Sequence, residues 1–174
     1  KLIPNFTRPF IARTTAELWR RWHMSLSFWV RDYVYVPMTA EMRNMGKTGI
    51  IICTLTTFIV LGICHGAGWN YAVYGLLQGV IITYEVLCRG FRTRQEALMG
   101  KRMFGVFSVI RTYLLFALSL VFFRADNLAD ATYLLTHLSI VPVQNWDEVL
   151  IGLSTHLCIV CGIALTFMLL YEWV

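Results

Sequence analysis

Apolar positions along this chain fall in long uninterrupted blocks, with the charged residues gathered between them. From Thr48 to Tyr84 there is no Lys, Arg, Asp or Glu. As one helix, those 37 residues would extend about 56 Å at a rise of ~1.5 Å per residue, against a hydrocarbon core ~30 Å thick. One straight span is excluded. The break falls at Gly62-Ile63-Cys64-His65-Gly66-Ala67-Gly68-Trp69-Asn70, where glycines let the backbone leave helical geometry and let other groups approach it. Two short spans, about Thr48–Ile63 and Trp69–Leu87, therefore meet at a shared break. Met103–Phe123 and Val149–Tyr171 supply two more.

The stretch before the first span has a different period. Thr14-x-x-Glu17 is a capping-box pattern and Pro37 a stop signal. Between them Leu18, Trp22, Leu26, Trp29 and Tyr33 recur at three- and four-residue spacing, an aromatic stripe on one helical face. Arg20, Arg21, Arg31 and Asp32 interrupt any plain span. The pattern fits an interfacial or re-entrant helical segment over 1–47, with aromatics at headgroup depth and arginines snorkelling to phosphate.

Composition agrees with a bilayer. Hydrophobic residues make up 57% and charged ones 14%, with a mean hydropathy of +0.61, where a soluble domain carries roughly a quarter charged residues. The net charge of +5 would suit nucleic acid, but its distribution argues otherwise. Arg89, Arg92, Arg94, Lys101 and Arg102 against Glu96 give +4 between the second and third spans. Arg124 against Asp126, Asp130, Asp147 and Glu148 gives −3 between the third and fourth. The positive-inside rule then places 41–47 and the basic loop 88–102 in the cytoplasm and 124–148 outside, with the His65 break opening toward the outer half. No nucleic-acid partner is expected. The chain begins at Lys1 and has no signal-peptide pattern, so it is expected to be the C-terminal part of a longer polytopic protein.

Cys53, Cys64, Cys88, Cys158 and Cys161 give no disulfide framework, and Cys158-x-x-Cys161 suits helix packing better than a redox pair or half a metal site. No metal is expected. His65 admits three readings: a structural histidine holding a freed carbonyl, a general base in a water-poor cavity, or a proton relay of a transporter. His23, beside Trp22 and within a turn of Trp19 and Ser27, is an interface anchor or a member of the site.

Three motifs then carry a resemblance: Phe6-x-x-Pro9-Phe10-x-Ala12-Arg13-Thr14, Leu18-Trp19-Arg20-Arg21-Trp22-His23-Met24-Ser25-Leu26-Ser27-x-Trp29-x-Arg31-Asp32-Tyr33-Val34-Tyr35-x-Pro37, and His65-Gly66-Ala67-Gly68-Trp69. Together they resemble the membrane-bound O-acyltransferase family, most of all its bacterial alginate O-acetylation membrane subunits, over residues 5–135. Phe122-Phe123-Arg124-Ala125-Asp126-Asn127 also resembles that branch. Cys64 stands where Trp is expected, and Gln78 where His is common.

The resemblance implies an all-α polytopic protein with a multi-helix core, interfacial helices and a broken transmembrane segment, in a bacterial inner membrane. It implies an acyltransferase moving an acetyl or similar group from a cytoplasmic thioester, acetyl-CoA or an acyl-carrier, toward hydroxyls of an exported polysaccharide. No tightly bound cofactor is implied, and an outer-face acetyltransferase partner is. His65 would deprotonate the acceptor and His23 would position the thioester oxygen. Trp22, Ser27, Arg31, Asp32, Trp69 and Asn70 would contact substrate, with Trp22, Arg31 and Asp32 at the cytoplasm-side entrance of a donor tunnel. The rivals are a proton-coupled secondary transporter built on a broken helix, for which no second copy of the His65 motif is found, and a non-catalytic scaffold of a secretion complex.

Overall fold

The computed structural model describes residues 4–137. The fourth expected span, 149–171, and Cys158-x-x-Cys161 lie outside the described residues. The described residues are helical without strands.

After a short turn at Pro9–Ile11, α1 (Thr15–Arg21) opens on the expected cap: Thr14 accepts from the Glu17 N–H at 3.0 Å. The reciprocal bond is displaced by one residue, because the Glu17 carboxylate accepts from the Arg13 N–H at 2.9 Å and also pairs with Arg21 at 2.8 Å. The aromatic stripe does not run along one helix. The chain breaks at His23, whose φ of 47° is left-handed, and restarts as α2 (Met24–Val30). Histidine is among the few side chains that tolerate this region. What fixes the break is distant in sequence: Asn5 accepts from the Met24 N–H with its carbonyl and from the Ser25 N–H and hydroxyl with its side chain, each at 2.9 Å.

Pro37 does not stop the helix either. Arg31–Tyr35 forms a π-helical turn in which the Val36 N–H bonds Arg31, five residues back, and the chain continues as α3 (Val36–Glu41). The wider turn shifts the hydrogen-bond register where the proline has no N–H to give and its ring would strike the carbonyl of the preceding turn.

The apolar blocks become α4 (Gly46–Ile63), α5 (Trp69–Leu87) and α7 (Lys101–Arg124), close to the expected spans. By length and composition α4, with the turn Arg43–Met45 before it, and α7 can each cross a bilayer. The basic stretch 88–102, expected as a loop, holds helix α6 (Arg89–Met99), bent 70° from α5. The two pass as a span only when taken together. After α7 comes α8 (Leu128–Thr136).

Helices α4 and α5 pack tightest because small residues line their contact. A Cβ on Gly75 would fall on the Phe58 carbonyl oxygen, one on Gly62 on the Tyr71 carbonyl oxygen, and one on Gly79 would sit 3.2 Å from Leu55 Cα. Without a hydrophobic drive between helices in lipid, such backbone proximity supplies the packing. The core joins this hairpin to α1, α2 and α7 through Leu18, Trp19, Val30, Leu61, Tyr74, Ile82 and Phe116. Polar ties reinforce it. Fully buried Gln78 on α5 accepts from Trp19 Nε1 of α1 at 3.0 Å and donates to Ser119 Oγ of α7 at 2.6 Å. Buried Glu85 accepts from the Thr15 and Ala16 N–H groups at 2.8 and 3.3 Å, capping α1 where its dipole is positive.

Candidate active site

His65 sits in the connection between α4 and α5. The end of α4 tightens, with the His65 N–H bonding Gly62 at 3.0 Å and the Gly66 N–H bonding Ile63 at 3.1 Å. The irregular backbone is therefore Cys64–Gly68, since Trp69 and Asn70 already belong to α5. Neither Gly66 nor Gly68 has a positive φ. They are required by close approach: a Cβ on Gly66 would enter the Tyr71 ring, and one on Gly68 would strike Asn70 Oδ1.

Phe123, at the end of α7, holds the His65 ring edge-on at 5.2 Å between centroids and also meets Tyr71 at 5.6 Å and Tyr74 at 5.2 Å. Asn70, nearly fully buried, donates its amide to the carbonyls of Phe122 at 3.3 Å and Ala125 at 2.9 Å. That bond fastens the start of α5 to the end of α7, so the Asn70 amide is spent on orphan carbonyls of a helix terminus. Trp69 is 81% exposed.

His23 is half-buried and lies within electrostatic range of His65, so the two histidine motifs, 42 residues apart, reach one neighbourhood. His23 Nδ1 faces Ser25 Oγ at 3.5 Å. Trp22 packs edge-on against Phe6, Phe10 and Phe116, behind His23.

A cavity of about 480 Å³ lies between α1, α2 and the π-turn on one side and α4 and α5 on the other. Its α4 wall is Ile50, Thr54, Thr57 and Leu61, one helical face about 16 Å long at ~1.5 Å per residue. Ser27 and Arg31 line it. Trp22, Asp32, Trp69, Asn70 and both histidines do not. Arg31 stacks on Phe28 at 4.9 Å and bonds Asp32 at 2.7 Å. That hydrogen bond holds the Asp32 carboxyl below its ordinary range and the Arg31 guanidinium above its own. Two residues of the wall escape a reading of the sequence. Arg20 brings a second guanidinium, and Thr57 a buried hydroxyl with no hydrogen-bond partner. Thr54, one turn earlier, returns its hydroxyl to the Ile50 carbonyl at 2.8 Å, as helical threonines do. Among the described residues no cluster of three or more His, Cys, Asp or Glu could hold a metal.

Residues 3–125 match the sequence profile of MBOAT, the membrane-bound O-acyltransferase family. The chain belongs to that family. Among curated relatives it is similar to a probable alginate O-acetylase, AlgI, of Pseudomonas syringae pv. tomato, 33% identical over 74% of this chain and 23% of the relative. It is also similar to a peptidoglycan O-acetyltransferase of Helicobacter pylori, 33% identical over 75% of this chain and 24% of the relative. A teichoic acid D-alanyltransferase of Streptococcus thermophilus is 41% identical over 44% of this chain and 20% of the relative. The chain spans about a quarter of the length of these relatives.

Proposed function

We propose that the protein containing this chain is an O-acyltransferase of a bacterial inner membrane. It would move an acetyl or similar short acyl group from a cytoplasmic thioester, acetyl-CoA or an acyl-carrier, toward hydroxyls of an exported polysaccharide, with an outer-face acetyltransferase as partner. The observation that carries the reading is that His23 lies within electrostatic range of His65 in a chain of this family. The names of the relatives, which acetylate alginate or peptidoglycan or alanylate teichoic acid, support acyl transfer to a cell-surface polymer.

In this mechanism His65 removes the proton of the acceptor hydroxyl as its oxygen attacks the thioester carbonyl. The C–O bond forms, the C–S bond breaks, and the proton goes on to the departing thiolate. His23 offers a ring N–H to the carbonyl oxygen as it takes up charge; one such donor is worth about 10²–10³ in rate. The cavity beside Arg20 and Arg31 suits the donor. Its guanidiniums fit phosphate, its apolar wall fits a slender arm, and the Thr57 hydroxyl offers a hydrogen bond along it.

The test is polymer acylation by the full-length protein in cells, with membrane insertion checked in parallel. His65→Ala should abolish acylation at normal protein levels, whereas His23→Asn should keep appreciable activity, because an amide retains a donor. Normal acylation in His65→Ala would sink the assignment. Complete loss in both variants would make His23 a proton-handling group instead.

A further inference from the structure

Away from the histidines, the bend between α5 and α6 gathers charge that acyl transfer does not use. Glu85, two residues before the end of α5, has both carboxylate oxygens bonded to the first N–H groups of α1. Two arginines converge there. Half-buried Arg111 of α7 donates to the Arg13 carbonyl at 3.3 Å and lies within electrostatic range of Glu85 and of Arg92. Arg92 comes from α6, turned by the 70° bend, and its Nε is buried without a partner. A third, Arg13, lays its guanidinium along α7 at Gly105, where an added Cβ would sit 3.4 Å from Cζ.

Arg92 and Arg111 therefore lie close to one carboxylate that backbone amides already occupy, with Arg13 beside them. Like charges held together in a half-buried place are costly unless an anion joins them, and the planar guanidinium matches the phosphate geometry. The neighbourhood also indicates where that phosphate comes from. Phe91 and Leu98, seven residues apart on one face of α6, are 56% and 79% exposed, and Leu87 at the end of α5 is 49% exposed. An apolar stripe beside unmatched arginines is the pattern of a helix lying at headgroup depth.

We propose that Arg13, Arg92 and Arg111 form a binding site for the phosphate of an anionic phospholipid, whose acyl chains lie against Leu87, Phe91 and Leu98. The site is separate from the cavity and the histidines, and it ties the α5–α6 bend to the bilayer surface.

The test uses the full-length protein in nanodiscs of phosphatidylcholine with increasing phosphatidylglycerol, following thermal stability and the lipid retained in native mass spectrometry. Phosphatidylglycerol should raise the melting temperature and stay bound, while inorganic phosphate in pure phosphatidylcholine should do neither. Arg92→Gln and Arg111→Gln should each weaken the apparent affinity about fivefold, from the worth of one surface cation. Arg124→Gln, exposed at the opposite end of α7, should leave it unchanged. Arg92→Gln decides the matter alone if Arg111→Gln fails to fold. Undiminished phosphatidylglycerol binding in Arg92→Gln would overturn the proposal, as would an equal loss in Arg124→Gln or an equal effect of inorganic phosphate.

Discussion

Replacing Gln78 tests how far one buried amide holds this helical assembly together. Its oxygen is the acceptor of the Trp19 indole N–H, and its nitrogen donates to Ser119 Oγ. Ser119 in turn donates to the Phe116 carbonyl at 2.6 Å. Gln78→Leu roughly conserves volume and leaves Ser119 with Phe116, so the orphan is the Trp19 N–H alone. An unpaired buried donor costs about 1–3 kcal/mol in water-soluble proteins, and interhelical hydrogen bonds in membranes reach about 1.7 kcal/mol. The overlap sets the expected loss at about 1–1.7 kcal/mol. Gln78→Ala should lose more, because a void is added to the orphaned donor. Gln78→His should be the mildest, since a neutral imidazole offers one acceptor to Trp19 and one donor to Ser119. Equilibrium unfolding in mixed micelles measures these losses, and a double-mutant cycle with Trp19→Phe isolates the bond. Coupling below about 0.3 kcal/mol, within the usual error of additivity, would refute the reasoning. Because Trp19 is also a cavity wall, Gln78→Leu should raise the donor KM more than it lowers kcat.

Three further outcomes follow from packing and charge. Gly75→Ala should destabilise by about 1–3 kcal/mol, the usual cost of overpacking, because its Cβ meets the Phe58 carbonyl, which has no side-chain freedom to move aside. Gly90→Ala, with nothing within 4 Å, should be neutral or stabilising by about 0.5–1 kcal/mol in the same unfolding assay. In a cysteine-free background, Asp126→Cys should react with an impermeant thiol reagent in intact cells and Gln95→Cys should not; the opposite pattern would reverse the assigned orientation.

Charge was the part of the fold that could be read directly. The outer ends of the α4–α5 pair and the ends of α7 fall near the places where Lys, Arg, Asp and Glu stop and start, because no unpaired charge sits comfortably in hydrocarbon, whereas the break between α4 and α5 was marked by glycines. What period and propensity could not show was where a helix is broken by a distant partner. The stripe Leu18–Trp22–Leu26 is sound helical spacing, yet Asn5, from the chain before α1, captures the start of α2 and turns His23 left-handed. Pro37 signals a stop only if the hydrogen-bond register is fixed, and the π-turn at Arg31–Tyr35 changes it. The stretch 88–102 has the charge density of a loop, and its helix is marked only by Phe91 and Leu98 on one face.

At the site, the two histidines and the glycines between the helices were visible because such residues are out of place at membrane depth. The amides Asn70 and Gln78 are the only two in the uncharged run, and that rarity was the available signal. Rarity says that each must find a partner, but not which one. Asn70 meets carbonyls 52 and 55 residues away, and Gln78 meets Trp19 and Ser119 at separations of 59 and 41. Asn70 thereby fixes the start of α5, just after the His65 connection, to the α7 terminus that carries Phe123, and Phe123 holds the imidazole. The wall residue Thr57 shows the same limit from the other side. It is one of many threonines on an apolar helix, and only its missing back-bond, against the one Thr54 makes, sets it apart. A sequence can say which polar groups are costly, and the packing of distant helices decides whether each cost is met by the protein or left for a substrate.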